Sequence, residues 1–119
     1  MKSTLILGAS LNTGRYSNKA IKKLKEKNIV TFAVGIKKGT VLGVEIETEK
    51  RLFKNIHTVS LYINPTIQKE YYKYVIDIQP KRVIFNPGTE NLEFVTLLTE
   101  NNIESEIACT LVLLSTNQY

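Results

Sequence analysis

Short apolar runs and polar breaks divide the chain into alternating strands and helices. Thr4-Leu5-Ile6-Leu7 is a continuous apolar-rich run ending at Gly8, the pattern of a strand buried on both faces inside a parallel sheet. After the polar stretch Ala9 to Tyr16, Ser17 is placed to cap a helix with a buried stripe of Ala20, Ile21 and Leu24, and Asn28 suits its end. Ile29 to Val34 is a second β-rich run closed by Gly35, which completes a βαβ unit.

The middle of the chain is less periodic. Gly39-Thr40 reads as a turn, Val41 to Ile46 as a short strand or extended segment, and Thr48 as the cap of a short helix through Phe53. Ile56 to Ile63 predicts a strand, and Asn64-Pro65 then supplies an N-cap with proline at the first helical position. Ile67, Tyr71, Tyr74, Val75 and Ile78 recur at helical spacing until Pro80. Arg82 to Phe85 is a further strand, and Asn86-Pro87-Gly88-Thr89 a turn. Phe94, Val95, Leu97 and Leu98 mark a helix ending at Asn101-Asn102, and Ile103 to Ala108 the last strand. Cys109 to Leu114 reads as a strand or a terminal helical turn, which so short a run cannot tell apart by period, and the helical turn is favoured. This alternation predicts one α/β domain over residues 1–119, in three layers, with a mainly parallel sheet and helices on both faces.

Composition narrows the class. An apolar fraction of 43% and a charged fraction of 23% are ordinary for a globular protein, and disorder is not indicated. No apolar run approaches a bilayer span, and Met1-Lys2-Ser3-Thr4 leads into a strand rather than a signal peptide, so a cytoplasmic, membrane-free protein is expected. One cysteine, Cys109, and one histidine, His57, cannot assemble a structural zinc site, and no metal is expected. The net charge of +5 arises partly from Lys19, Lys22, Lys23, Lys25 and Lys27. Without interleaved aromatics these lysines read as a solvated helix face rather than a nucleic-acid surface, though a basic chain favours anionic small molecules.

In an open parallel sheet, ligands bind beyond the carboxyl ends of the strands, where the strand order reverses. The first such loop runs from Gly8 to Ser17, and the helix that follows presents N–H groups and a positive dipole end suited to phosphate. Arg15 adds charge, while Ser10, Asn12 and Ser17 add neutral hydrogen-bonding groups. Gly8 and Gly14 could alone mark a turn; the dinucleotide fingerprint of three glycines is not matched, and no P-loop sequence occurs. After the second strand, where a NAD-binding domain carries a carboxylate, stands Ile36-Lys37-Lys38-Gly39. Two lysines there make either an exposed basic turn or a site for a phosphorylated ribose, as in NADP and coenzyme A.

Gly8-Ala9-Ser10, Arg15-Tyr16-Ser17-Asn18, Leu61-Tyr62-Ile63-Asn64-Pro65, Phe85 to Asn91 and Ala108 to Val112 together resemble the small bacterial CoA-binding domain proteins, over nearly the whole chain. More faintly, Val34 to Gly39 looks like the Pro-Gly-Lys-Gly turn of the succinyl-CoA synthetase α subunit, with Ile36 in place of a small residue or proline. The resemblance implies a Rossmann-like fold with coenzyme A lying across the carboxyl edge of the sheet. It implies that the loop Gly8, Ala9, Ser10, Asn12, Arg15, Tyr16, Ser17 meets the phosphates and that Lys37 and Lys38 approach the adenosine end. Tyr62, Asn64 and Pro65 would border the cleft, and Asn86, Pro87 and Gly88 would form its far rim.

Other residues lend themselves less to chemistry. His57 has no sequence neighbour to orient it as a base, Cys109 reads as a buried, inert cysteine rather than one placed to exchange with a CoA thiol, and Tyr72 alone of Tyr71, Tyr72 and Tyr74 is expected to be exposed. Asp77, Glu104 and Glu106 read as solvated charges. With no catalytic set discernible, the leading expectation is a CoA or acyl-CoA binding module: a carrier, sensor or subunit of an acyl-CoA system. The alternatives are an NADP-dependent reductase and a structural interaction protein with a vestigial nucleotide site; protein partners are left open.

Overall fold

The computed structural model describes residues 2–119; Met1, which the sequence places in the lead to the first strand, lies outside them. Six strands run parallel in one sheet: β1 (Thr4–Ala9), β2 (Thr31–Gly35), β4 (Val44–Glu47), β5 (Thr58–Leu61), β6 (Arg82–Phe85) and β7 (Glu104–Ile107). β3 (Gly39–Val41) pairs antiparallel with β4, and the order across the sheet is β3-β4-β2-β1-β5-β6-β7. The helices are α1 (Tyr16–Glu26), α2 (Pro65–Gln68), α3 (Tyr72–Ile78), α4 (Leu92–Glu100) and α5 (Thr110–Ser115).

Alternate residues of β1 feed two cores. Leu5 and Leu7 join Val59, Leu61, Val83 and Phe85 beneath α3 and α4, with Val75, Ile78, Phe94 and Leu98. Ile6 faces the other way, with Ala33, Val44 and Ile46, under Ala20, Ile21 and Leu24 of α1 and Leu114 of α5. The sheet is therefore the middle layer of three, as the alternation of elements predicts. The chain leaves β1 toward β2 in one direction and later returns from β4 to β5 on the other side. The order reverses between β1 and β5, and a crevice opens at their carboxyl ends.

Several elements differ from the sequence reading. Ser17 is buried in the first turn of α1, and Arg15 occupies the N-cap position with no side-chain cap. Gly39 and Thr40 are strand; the turn falls at Leu42-Gly43, both at positive φ, where a tight hairpin joins β3 to β4. The helix expected from Thr48 is absent: residues 48–57 form an irregular connection, held where Phe53 packs on Phe32 with ring centroids 4.7 Å apart. The single helix expected after Asn64 is broken into α2, a 3₁₀ turn at Lys69–Tyr71, and α3. Tyr72 is half-buried rather than exposed, its ring 4.4 Å from that of Phe94. Glu106 is not simply solvated, because its carboxylate lies 2.7 Å from the guanidinium of buried Arg82.

Gly8 carries the departure from β1. It is the extra residue in the register with β2, with φ of 98°, and a Cβ there would come within 2.8 Å of Ile63 Cγ2 and 2.9 Å of the Tyr62 carbonyl carbon. Both the left-handed backbone and the close approach of β5's exit exclude a side chain. Gly88, also at positive φ, has open space around it. Gly88→Ala should therefore cost only backbone strain, about 1–2 kcal/mol, whereas Gly8→Ala should cost about 3 kcal/mol or more in urea unfolding.

Candidate functional site at the carboxyl edge of the sheet

Five loops converge at the carboxyl edge because the strands they follow are parallel: residues 10–15, 36–38, 62–64, 86–91 and 108–109. The first loop is held by its own side chains. Ser10 Oγ accepts from Asn12 N at 3.0 Å, Asn12 Oδ1 accepts from Gly14 N at 2.9 Å, and Asn18 Nδ2 donates to the Ser10 carbonyl at 2.9 Å. Ser10 and Asn12 thus shape the loop, leaving the helix end and Arg15 as its groups for an anion. Among the described residues, no side chain caps the first turn of α1, so its N–H groups point at the crevice unpartnered. Tyr16 is exposed beside them, with the Lys19 ammonium 5.4 Å from its ring centroid, and Ala9 is buried where β1 ends.

The second loop touches the first. Gly35 abuts the end of β1 so closely that a Cβ would lie 2.3 Å from the Ala9 carbonyl oxygen. Beyond it Ile36, Lys37 and Lys38 form an exposed turn, and among the described residues neither lysine has a carboxylate at ion-pair distance.

The third and fourth loops are tied to each other through buried amides. Asn64 caps α2, its Oδ1 accepting from Ile67 N at 3.0 Å, and Pro65 takes the first helical position. Gln68, fully buried, donates from Nε2 to both the Ile63 and Thr89 carbonyls at 2.8 Å, and its Oε1 accepts from Asn91 at 3.0 Å. Asn86 is the deeper joint. Its Nδ2 donates to Ser60 Oγ and the Leu61 carbonyl, its Oδ1 accepts from Thr110 N, all at 2.8 Å, and its carbonyl accepts from Thr89 Oγ1 at 2.7 Å. The Asn86 side chain is thus engaged by the protein at 1% exposure, and its part in any site is to hold the rim formed by exposed Pro87 and Gly88.

Tyr62 closes the floor between β5 and α5. Burial pushes its phenol up to about 12, while the hydroxyls of Thr110 and Ser60 pull the other way; its oxygen meets no partner in hydrogen-bond geometry. It stays protonated at neutral pH, a donor and not a base. Cys109, half-buried, sits at the N-cap of α5 beyond β7.

All the residues that the sequence assigns to a ligand site therefore lie on or beneath one edge. What the sequence reading passed over is the polar layer that holds the loops: Ser60, Gln68, Asn91 and Thr110. Ser60 gave a signal, a polar residue at a core position of an apolar strand; Gln68 and Thr110 gave none, because their partners are distant in sequence.

The model of the CoA binding domain matches residues 2–115. This chain belongs to the CoA binding domain family. A crystal structure of an uncharacterized protein is similar to this CoA binding domain at TM-score 0.97 and 50% identity, over 100% of this chain and 98% of that one. A hypothetical protein from Pyrococcus horikoshii OT3 gives TM-score 0.84 at 26% identity, over 93% and 80%. A protein from Thermus thermophilus shares the fold at TM-score 0.87 and 19% identity, over 99% and 90%. No curated protein matches the chain.

Two hollows of the domain are lined by residues outside these five loops. One, about 250 Å³, is lined by Lys2, Lys27, Ile29, Leu114, Asn117 and Tyr119; the other, about 470 Å³, lies along Tyr72, Glu93 and Leu97. His57 is also remote, just before β5 at the amino end of the sheet, with Nδ1 2.8 Å from Thr58 Oγ1. Among the described residues, no helix is long and apolar enough to cross a membrane.

Two outcomes follow from these contacts. Asn86→Ala leaves the Leu61 carbonyl and Thr110 N–H buried without their partner, and should lower the unfolding free energy by about 2–4 kcal/mol in urea titration. Burial, and then the positive charges of Arg82, Lys2 and Lys81, hold His57 below its ordinary 6.5. The unfolded chain therefore takes the proton first. This contribution to stability is complete above pH 6.5 and is lost as pH falls below it. His57→Gln should flatten the decline in Tm between about pH 7 and pH 5 relative to wild type.

Proposed function

We propose that this domain binds coenzyme A or an acyl-CoA across the carboxyl edge of its sheet, as a carrier, sensor or subunit of an acyl-CoA system. One observation carries the reading: an uncapped helix N-terminus with Arg15 at its N-cap stands at the point where the strand order reverses, in a domain of the CoA-binding family. The pyrophosphate would meet the first-turn N–H groups of α1 and Arg15, with Gly8 and Ala9 allowing backbone approach and Ser10, Asn12, Tyr16 and Ser17 shaping the loop. Lys37 and Lys38 would face the adenosine ribose, where a carboxylate would select a free diol and two ammonium groups instead select a phosphate. Tyr62, Asn64 and Pro65 would line the path of the pantetheine arm toward the rim at Asn86, Pro87 and Gly88. A cytoplasmic location is part of this reading.

The test is a thermal melt with CoA, acetyl-CoA, NADP and ATP. A ligand at a hundred times its dissociation constant adds about 2.7 kcal/mol, and the largest rise in Tm should come with CoA or acetyl-CoA. A larger rise with NADP would favour a reductase, and none with any ligand a structural protein. Arg15→Ala should weaken CoA binding about tenfold or more by calorimetry, the worth of a charge-assisted hydrogen bond. Lys23→Ala, on the far side of α1 beside Glu26, should leave affinity unchanged. Equal losses from both would mean diffuse attraction by the net positive charge.

A further inference from the structure

The phosphate loop and the lysine turn meet at two points that bracket Ile36, Lys37 and Lys38. At the first, the backbones of Ala9 and Gly35 are locked in the sheet register. The second is of another kind. Gly39 opens β3 immediately after the lysines, and a Cβ there would lie 2.5 Å from Leu11 Cδ2, 2.6 Å from Cδ1 and 3.0 Å from Cγ. The isobutyl group of Leu11, at the tip of the phosphate loop, therefore rests directly on the glycine. Leu11 remains 37% exposed, so its side chain can turn away if that space is filled. Gly39 is not held to glycine by its φ, unlike Gly8 and Gly43. The absence of a side chain at position 39 serves the contact with Leu11.

We propose that the seating of Leu11 on Gly39 makes both of them positioning residues, which fix the lysine turn at a set distance from the phosphate loop. A ligand with phosphates at both ends of its nucleotide, a ribose phosphate and a pyrophosphate, is then bound by both loops as a unit. The contact deepens the CoA-binding reading above and rests on it. It requires that disturbing the contact weakens recognition of the ribose phosphate while leaving the fold intact, because a displaced leucine at the surface costs little packing.

The experiment compares affinities for CoA and dephospho-CoA by calorimetry at fixed salt, in wild type, Leu11→Ala, Gly39→Ala and the double variant. Each single variant should lower the preference for CoA over dephospho-CoA by about three- to tenfold, and the double variant should lower it no further, since both remove one contact. Gly43→Ala is the control. It strains the turn of the same hairpin at φ 80° without touching Leu11, and should lower Tm while keeping the preference. An unchanged preference in both single variants, losses that multiply in the double variant, or an equal loss in Gly43→Ala would overturn the proposal. Wild-type protein that binds neither ligand would overturn the CoA-binding reading, and the positioning role with it. Wild-type binding with an unaltered preference in the variants would overturn the positioning role alone.

Discussion

Thr4, Leu5, Ile6 and Leu7 have no face left for solvent: each is at most 1% exposed, with a strand on either side and a helical layer above and below. A strand so enclosed can leave the sheet only at its end, and it must leave without colliding with the exit of β5 next to it. Gly8 meets that requirement, since its positive φ turns the chain and its missing side chain leaves room for Tyr62 and Ile63. The divergence of the two exits opens the crevice, and the placement of α1's N-terminus, the lysine turn and the two rim loops follows from it.

Beneath the crevice, polar groups do the holding. The loops at the carboxyl edge are anchored from below, by a buried layer of Ser60, Gln68, Asn86 and Thr110. Full satisfaction of those groups gives the loops fixed positions without using Arg15, Lys37 or Lys38. At the opposite edge the groups are engaged with one another. Arg82 donates to Thr58, Glu106 and the Tyr119 carbonyl, and its guanidinium lies 4.5 Å from the Tyr119 ring centroid. The Arg82 cluster at the amino edge is thus paired internally, whereas among the described residues Arg15, Lys37 and Lys38 at the carboxyl edge have no ion-pair partner and the first turn of α1 has no side-chain cap.

Where sequence and structure part, the reason lies in partners far along the chain. The period of Ile67, Tyr71, Tyr74, Val75 and Ile78 suits one helix, yet Gln68 is drawn inward to bridge Ile63 and Thr89, and the segment bends through a 3₁₀ turn before α3. Thr48 has the chemistry of a cap, but residues 48–57 must return from β4 across the sheet to β5, and Phe53 is claimed by Phe32. Tyr72 carries polar and apolar surface alike; Phe94 and Asn91 decide that it is covered, the latter donating to its hydroxyl at 2.9 Å.

Local chemistry in the sequence was enough to determine the main alternation of strands and helices, the buried run Thr4 to Leu7 with Gly8 breaking it, the helix ends at Asn28 and Asn102, both in the left-handed conformation, and the basic turn after β2. Each depends on residues within a few positions of one another: apolar period, backbone freedom, charge. The tertiary structure alone decided that Asn86 faces inward as a joint, that Arg15 rather than Ser17 takes the N-cap, and that Leu11 sits on Gly39. Those outcomes depend on distances between segments that only the packed sheet brings together, and a one-dimensional pattern does not carry them.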